Sequence, residues 1–563
     1  MMKKMLTAAL ISWSCFIAQA QNIGLGTSSP DPSAALDMTS NSKGLLIPRM
    51  NTASMLSIAS PAKGLLVYDS LKNQLMVNMG TAARPDWQNI VSGSGWGLTG
   101  NTATDTTVNF IGTTDNQPLL FRVNNQSSGM IDSITANTYL GYASGRKSSG
   151  GLSNTAFGYK SMEQNATGSY NTAFGVQTLS VNANGGSIGS KNTAIGHQAL
   201  MNNLGTTGNT AVGYQALFDN SSNLNTAVGY QAMYHGGQGA STAVGAEALY
   251  SGGGNSNTAI GVRALYACAA TASYNTVSGF EAMISNYSGS FNTGSGYQVM
   301  HDNYSGQYNT AYGSSSLYAN TYGNQNTSIG YNSLSKTIGS DGNTAIGYNA
   351  GASYNNGYYN CFIGSETDAN GPGYYNTIAL GHGTIVTAPN MMRVGNGSTA
   401  SIGGPVGWST ISDGRVKKNI QENIPGLAFI NRLRPVSYNI DAAAIDRIVQ
   451  PPIKTNVARR EINTSEQMQS SYQEKEKIVY TGFVAQEVEQ SAKAMNYAFS
   501  GVDAPRNDKD LYGLRYSDFV VPLVKAVQEL SASNDQLTKD NELLRNQQKT
   551  AQQRIAALKK QLH

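Results

Sequence analysis

Asn192-Thr-Ala-Ile-Gly-His-Gln-Ala-Leu200 is one copy of a nonapeptide that organises the middle of the chain. The pattern Asn-Thr-Ala-apolar-Gly-Tyr-x-Ala-Leu begins at Asn154, Asn171, Asn192, Asn209, Asn225, Ser241, Asn257, Asn275, Asn292, Asn309, Asn326, Asn343, Asn360 and Asn376, and eleven of the thirteen intervals are 16 or 17 residues. Self-similarity at a fixed short period is the mark of a solenoid, in which each unit buries its apolar face only against its neighbours. A unit of about 17 residues cannot hold two helices, and its Gly and Asn content disfavours helix. Within Thr193 to Leu200 the alternation separates a face carrying Thr and Ile from one carrying Ala and Gly. Small residues let neighbouring backbones approach, and turns rich in Asn, Ser and Gly supply the positive φ that tight coils need. Asn side chains stacked at one register can also bond along the axis as amide ladders do. The expectation is two short strands per repeat in a β-roll or β-helix.

Outward from the repeats, composition changes sharply. Lys, Arg, Asp and Glu make up about 26% of residues 412–563 and about 7% of residues 1–411, although the whole chain carries only +4. Two kinds of structure meet at Ser412. At 563 residues the chain is too long for one core and divides into domains in series. Met1-Met-Lys-Lys, the apolar run Leu6 to Ile17 and Ala18-Gln-Ala20 form a secretory signal cleaved after Ala20. Beyond it, no segment is apolar for long enough to span a membrane. Cys268 and Cys361 stand in repeats far apart, which excludes a disulfide framework, and the small, unclustered charge gives no footprint for nucleic acid.

Residues 21–100 read as short strands and turns around runs such as Gly44-Leu-Leu-Ile-Pro48 and Gly64-Leu-Leu-Val-Tyr68. Their opening, Ile23-Gly-Leu-Gly-Thr27 through Ala35-Leu-Asp37 to Lys43-Gly-Leu-Leu-Ile-Pro-Arg49, resembles the N-terminal segment of tail-fibre-like surface proteins of Bacteroidetes. A β-rich connector follows at 101–149, then the solenoid at 150–395 and a linker at 396–411. The repeats are similar to the head repeats of trimeric autotransporter adhesins. That likeness implies a β-roll in each of three chains.

Four blocks follow the linker: Ser412-Asp-Gly-Arg-Val-Lys-Lys-Asn-Ile420, Leu427-Ala-Phe-Ile-Asn-Arg-Leu-Arg-Pro-Val-Ser-Tyr438, Thr481-Gly-Phe-Val-Ala-Gln-Glu-Val488, and Leu514-Arg-Tyr-Ser-Asp-Phe519 running into Pro522 to Leu530. In this order they resemble the peptidase S74 family, the intramolecular chaperone of endosialidase-type phage tail spikes. The resemblance implies a domain that trimerises, assembles the preceding β-fibre and cuts the chain between Ile411 and Ser412, with Ser412 as nucleophile and Lys417 as base. The residues agree with that chemistry. A Ser hydroxyl needs a base, and the only His after His382 is the terminal His563, so a His-based triad has no place here. A lysine serving as base near neutral pH must have its pKa brought from about 10.4 to roughly 7–8, which burial in an assembled trimer supplies. Alone, the hexapeptide is also an ordinary turn with Ser412 or Asp413 as N-cap, and Lys417 or Lys418 a solvated face. Residues 441–478, with Pro451-Pro-Ile and a polar run, read as an exposed insertion in a chaperone domain spanning 412–522.

From Leu523 through Val527, Leu530, Asn534, Leu537, Asn541, Leu544, Gln548, Ala551, Ile555, Leu558 and Leu562 the spacing alternates four and three, the seam of a coiled coil over 523–563. A long amphipathic helix on a globular face is the other reading. The fold expected is therefore mainly β, a trimeric solenoid followed by an α+β chaperone that ends in a coiled coil. The function expected is a secreted or cell-surface homotrimeric fibre with one self-cleavage event, needing no metal or cofactor. The alternative is a fibre that binds or degrades surface glycans, for which Asp219, Glu247 and Glu281 are scattered carboxylates and Tyr214 and Tyr230 are candidate stacking platforms.

Overall fold

A computed structural model describes residues 22–90, 100–102, 104–180, 188–449 and 466–562. The signal-peptide reading and His563 lie outside the described residues. The chain divides into a unit ending at Gly112 and a second beginning at Thr113. In the first, Ile23–Leu25 pairs in parallel with Leu36–Met38, and four strands (Arg49–Met50, Leu66–Asp69, Gln74–Asn78, Trp87–Asn89) form a sheet with the short helix Thr52–Leu56. Met55, Val67 and Met76 are its buried core. Gly44-Leu-Leu-Ile-Pro48 forms no strand, contrary to its reading from sequence. Leu45 and Leu46 face solvent, so this apolar run has no sheet face to join.

In the second unit the nonapeptides stack as a solenoid. Each carries one three-residue strand, and successive strands pair in parallel with identical register, as Thr193, Ala194 and Ile195 against Thr210, Ala211 and Val212. The middle Ala is buried and the flanking Thr and apolar residue face out, which is the alternation visible in the sequence. The ladder begins one unit earlier than the first repeat recognised, at Asn137–Leu140. That strand closes an antiparallel meander with Leu119–Val123 and Gln126–Asp132.

Only one strand forms in each regular coil, where two were expected. The second rail runs through residues of alternating conformation: Gly196, Gln198 and Leu200 all have positive φ. Gly196 and Gln198 donate N–H bonds to Phe174 and Val176 of the preceding coil, whereas Leu200 and Asn202 donate to Ala216 and Phe218 of the next. A non-glycine residue in the left-handed region costs about 1–2 kcal/mol, and a buried backbone amide left unpaired costs a similar amount, so the rail tolerates the strain in exchange for bonds to both neighbouring coils. Among the described residues a regular second strand appears only near the end, where Asp368–Ala369 pairs in parallel with Ile385–Val386.

The expected amide ladder is present. Asn326 donates its backbone N–H to Asn309 Oδ1 at 2.9 Å and its Nδ2 to Ser340 O at 2.6 Å, while its own Oδ1 accepts from the backbone N–H of Asn343 at 3.0 Å. The same connection links Asn137 to Asn154 and onward to Asn360. One assignment from sequence shifts by a residue. The slot after Asn360 holds Thr377, whose N–H donates to Asn360 Oδ1, while Asn376 is exposed and bonds to Asn390. The decisive spacing is to the Gly four residues on, Gly364 and Gly381, and not to the nearest Asn-Thr.

Ser241 is the weak rung, because its shorter side chain accepts from Asn257 N–H at 3.1 Å and reaches Gly254 O only at 3.3 Å. Ser241→Asn is expected to stabilise these coils by about 1 kcal/mol, the worth of a typical buried hydrogen bond. Slower hydrogen exchange of the Asn257 amide would register the gain; unchanged or faster exchange would refute it.

Near the end of the solenoid Asp368 is buried, accepting bonds from the Ser353 N–H and hydroxyl and the Ala369 N–H. Burial nevertheless dominates and pushes its pKa from 3.8 up to about 6. The folded chain therefore holds this proton longer than the unfolded chain does, so the contribution of Asp368 to stability is full below about pH 4 and is lost as pH rises through about 6. The shift corresponds to about 3 kcal/mol. In Asp368→Asn this pH-dependent component is expected to vanish, which denaturant titrations at pH 4 and pH 7 measure directly.

Candidate functional site

The chaperone blocks converge, apart from the first. Phe429 from the helix Leu427–Ile430, Val488 and Ala492 from the helix Ala485–Lys493, and Phe519 form a buried cluster joined by Phe483, Tyr497, Phe499 and Leu514. Rings of Phe429 and Phe499 lie 5.0 Å apart and those of Phe499 and Phe519 4.8 Å apart. The strand Val436–Tyr438 pairs antiparallel with Tyr480–Gly482, and Arg434 pairs with Glu487, so the second and third blocks are tied by backbone and by charge. The fourth block leads into one continuous helix, Val520–Gln561. Leu427 N–H donates to Glu529 on that helix at 2.8 Å.

The Ser412 block lies in an exposed segment, with Ile411 88% exposed. Its residues fold into one 3-10 turn, Gly414–Val416, whose N-cap is Asp413. Asp413 accepts from the Arg415 backbone N–H at 2.9 Å and is gripped by the Arg415 guanidinium, which donates to both carboxylate oxygens. These bonds hold the Asp413 carboxyl below its ordinary pKa, the guanidinium contributing most. The turn brings the sixth residue of the block back to the first, and Lys417 Nζ lies 2.9 Å from Ser412 Oγ. Each residue of the Ser-Asp-x-Arg-x-Lys pattern thus has a part: Asp413 starts the turn, Arg415 clamps it, and Lys417 meets Ser412. The N-cap reading of Asp413 and the pairing of Ser412 with Lys417 are compatible.

This arrangement bears on a family comparison. Residues 412–496 match the model of the chaperone of endosialidase. Ahead of this chaperone domain, residues 24–108 match a phage tail like trimerisation region. No curated protein matches the chain. The N-terminal likeness noted in the sequence is thus a likeness to a trimerisation region, which its residues alone did not disclose. A tail-like trimerisation region, a β-solenoid and an endosialidase chaperone in one chain fit a phage-tail-like trimeric fibre carrying its own chaperone.

The carboxylates and aromatics considered for glycans have partners within the fibre. Asp219 accepts from Asn202 Nδ2 at 2.6 Å, and Arg263 pairs with Glu247 at 2.8 Å and Glu281 at 3.9 Å. Glu281 also accepts from Gln298, continuing a polar column that includes Gln198, Gln215 and Gln231 in other coils. Tyr214 stacks on Tyr230 at 5.4 Å and on His197 at 5.3 Å. Among the described residues no cluster of His, Cys, Asp and Glu is arranged to hold a metal, and no helix is long and apolar enough to cross a membrane.

The insertion read as exposed is in part buried. The helix Ala442–Val449 buries Ala442, Asp446 and Val449, and Gly397 packs so closely that a β-carbon there would lie 2.5 Å from Ala442 O. Pro451 lies outside the described residues. Sequence reasoning also passed over Arg393 and Asp510, which pair at 2.8 Å. The available signal was a lone arginine in a charge-poor stretch.

Proposed function

We propose that the chain is a secreted or cell-surface homotrimeric fibre, adhesive or structural, whose C-terminal domain drives trimer assembly and then cuts the chain once between Ile411 and Ser412. The observation that carries the cleavage reading is the 2.9 Å approach of Lys417 Nζ to Ser412 Oγ beside an exposed peptide bond. Lys417 in its neutral form takes the hydroxyl proton, and Oγ attacks the Ile411 carbonyl carbon. The Ile411–Ser412 C–N bond breaks as the proton passes to the Ser412 nitrogen, leaving an ester on Oγ. Water then hydrolyses the ester to an Ile411 carboxylate and restores the hydroxyl. An exposed ammonium donates to Oγ and cannot act as base, so the reaction waits until assembly excludes water from Lys417.

Two exposed surfaces support assembly with further copies of the chain. Along the solenoid, the coils from Phe157 to Ile260 present an apolar residue outward at the same strand position, Phe174, Ile195, Val228 and Val244 among them. Ser278 and Ser295 interrupt this stripe before Tyr312, Ile329 and Ile346 resume it, and apolar surface of that extent marks an interaction face. Along the last helix the seam residues Val527, Leu530, Leu537, Leu544, Ile555 and Leu558 are more than half exposed, and a 42-residue helix draws most of its stability from packing such a face against a partner. The test is light scattering of the purified chain with N-terminal sequencing of any fragment. Three copies and a fragment beginning at Ser412 are expected; a monomer, or a fragment with another first residue, would overturn the reading.

The glycan reading is retained as binding by the exposed Tyr ladders. Hydrolysis is disfavoured because Glu247 and Glu281 are engaged by Arg263.

A further inference from the structure

A solenoid of stacked coils exposes its core and unpaired backbone at its last turn unless something covers them. Here the end is covered by residues from beyond Ser412. Asp446 of the helix Ala442–Val449 accepts the Gly397 N–H at 2.9 Å and the Tyr472 hydroxyl at 2.5 Å, and Lys475 Nζ donates to Thr399 O at 2.7 Å. From a later segment of the chaperone domain, Asp510 is buried and accepts from Thr387 Oγ1 at 2.5 Å and Arg393 Nη2 at 2.8 Å. Asn507 Nδ2 donates to Thr387 O at 2.6 Å, and Arg506 Nη1 to Pro389 O at 2.7 Å. Asn370 Nδ2 also donates to Val449 O and Lys509 O, both at 3.4 Å, so the fibre-side groups lie between residues 370 and 399, the cap-side groups between 446 and 510, and the bond before Ser412 lies between the two sets. The intervening segment is exposed at Ile402, Val406, Trp408 and Ile411, so breaking it leaves these contacts untouched.

We propose that the last coil of the solenoid is a binding site for the chaperone domain itself, so that a chain cut before Ser412 keeps residues 412–563 bound as a non-covalent end-cap. Burial alone would raise the Asp510 pKa, but its bonds from Thr387, the Arg506 and Leu511 amides and Arg393 outweigh that and leave it lowered, so the carboxylate is charged where it meets Arg393. A buried charge with every partner in place is held firmly, and removing one partner strands the other.

Retention after self-cleavage rests on the cleavage proposed above, so the cut is better supplied from outside. A recognition sequence for a specific endoprotease replaces residues 402–407 in a Ser412→Ala chain, and the nicked protein is run through gel filtration in native buffer and then in denaturant. Co-elution of both pieces in native buffer and separation only in denaturant is expected, with Arg393→Ala combined with Asp510→Ala releasing the smaller piece at least tenfold faster. Immediate release from the otherwise unaltered nicked chain would overturn the proposal, as would retention undiminished by the double substitution. Should that variant fail to fold, Arg506→Ala with Lys475→Ala removes two side-chain contacts at the rim and is held to the same outcomes. Wild-type chain that never cuts itself would count against the cleavage reading alone.

Discussion

A Ser412→Ala chain is expected to remain a single species of 563 residues less any signal, under conditions in which wild type yields a 152-residue fragment. The fragment should also be lost in Lys417→Ala, with the rate falling about 1,000-fold or more in each, because nucleophile and base act as one unit and removing either removes the step. Both variants should still assemble, since the buried cluster of Phe429, Val488, Ala492 and Phe519 touches neither residue. Asp413→Ala should slow cutting without abolishing it, because it loosens the turn that carries Lys417 to Ser412 while leaving both in place. Denaturing electrophoresis of the four chains reads the cutting, and light scattering of the undenatured chains reads the assembly. A fragment beginning at residue 412 from the Ser412→Ala chain would eliminate the assigned nucleophile.

Gly330→Ala is the substitution expected to damage the fibre most. Gly330 sits at φ +131° directly over the next coil, and a β-carbon there would lie 2.3 Å from Gly347 O. The contacting atom is backbone and cannot swing aside, and the equivalent Gly in each neighbouring coil is stacked in the same column, as Gly313 over Gly330 and Gly347 over Gly364. Strain and a broken backbone bond at one coil should together cost more than about 4 kcal/mol. Because stability in a solenoid is a sum over neighbouring interfaces, the loss should concentrate around this coil. Limited proteolysis is expected to open the chain near residue 330, and a protease-resistant variant with unchanged thermal unfolding would show that the column is less tightly set than the geometry indicates.

The repeats were legible because each coil solves the same problem with the same residues. Ala at the strand centre, Gly four residues after the Asn slot and Asn at the ladder are requirements of close stacking, so period and face could be read directly. What escaped is instructive. The second rail was read as a strand because alternation in sequence does not distinguish extended residues from alternating left-handed ones; the hydrogen bonds of Gln198 and Leu200 to opposite neighbours decide it. The last repeat was placed one residue early because Asn376-Thr377 imitates the ladder dipeptide, whereas the Gly column puts Thr377 in the slot. At the candidate site the order of four blocks and the position of Lys417 could be read, but the clamp of Arg415 on Asp413 required coordinates.

By itself the sequence determined the solenoid, its approximate period, the buried Ala face and the boundary at Ser412 between a charge-poor fibre and a charge-rich domain. All of these are local or repeated constraints, and a repeated constraint appears many times in one chain. Only the tertiary structure decided that the segment after residue 441 turns back onto the last coil and that Asp510 meets Arg393 across 117 residues. Those contacts occur once, between residues far apart in the chain, and their pairing depends on where the backbone returns. Periodicity cannot encode such a return.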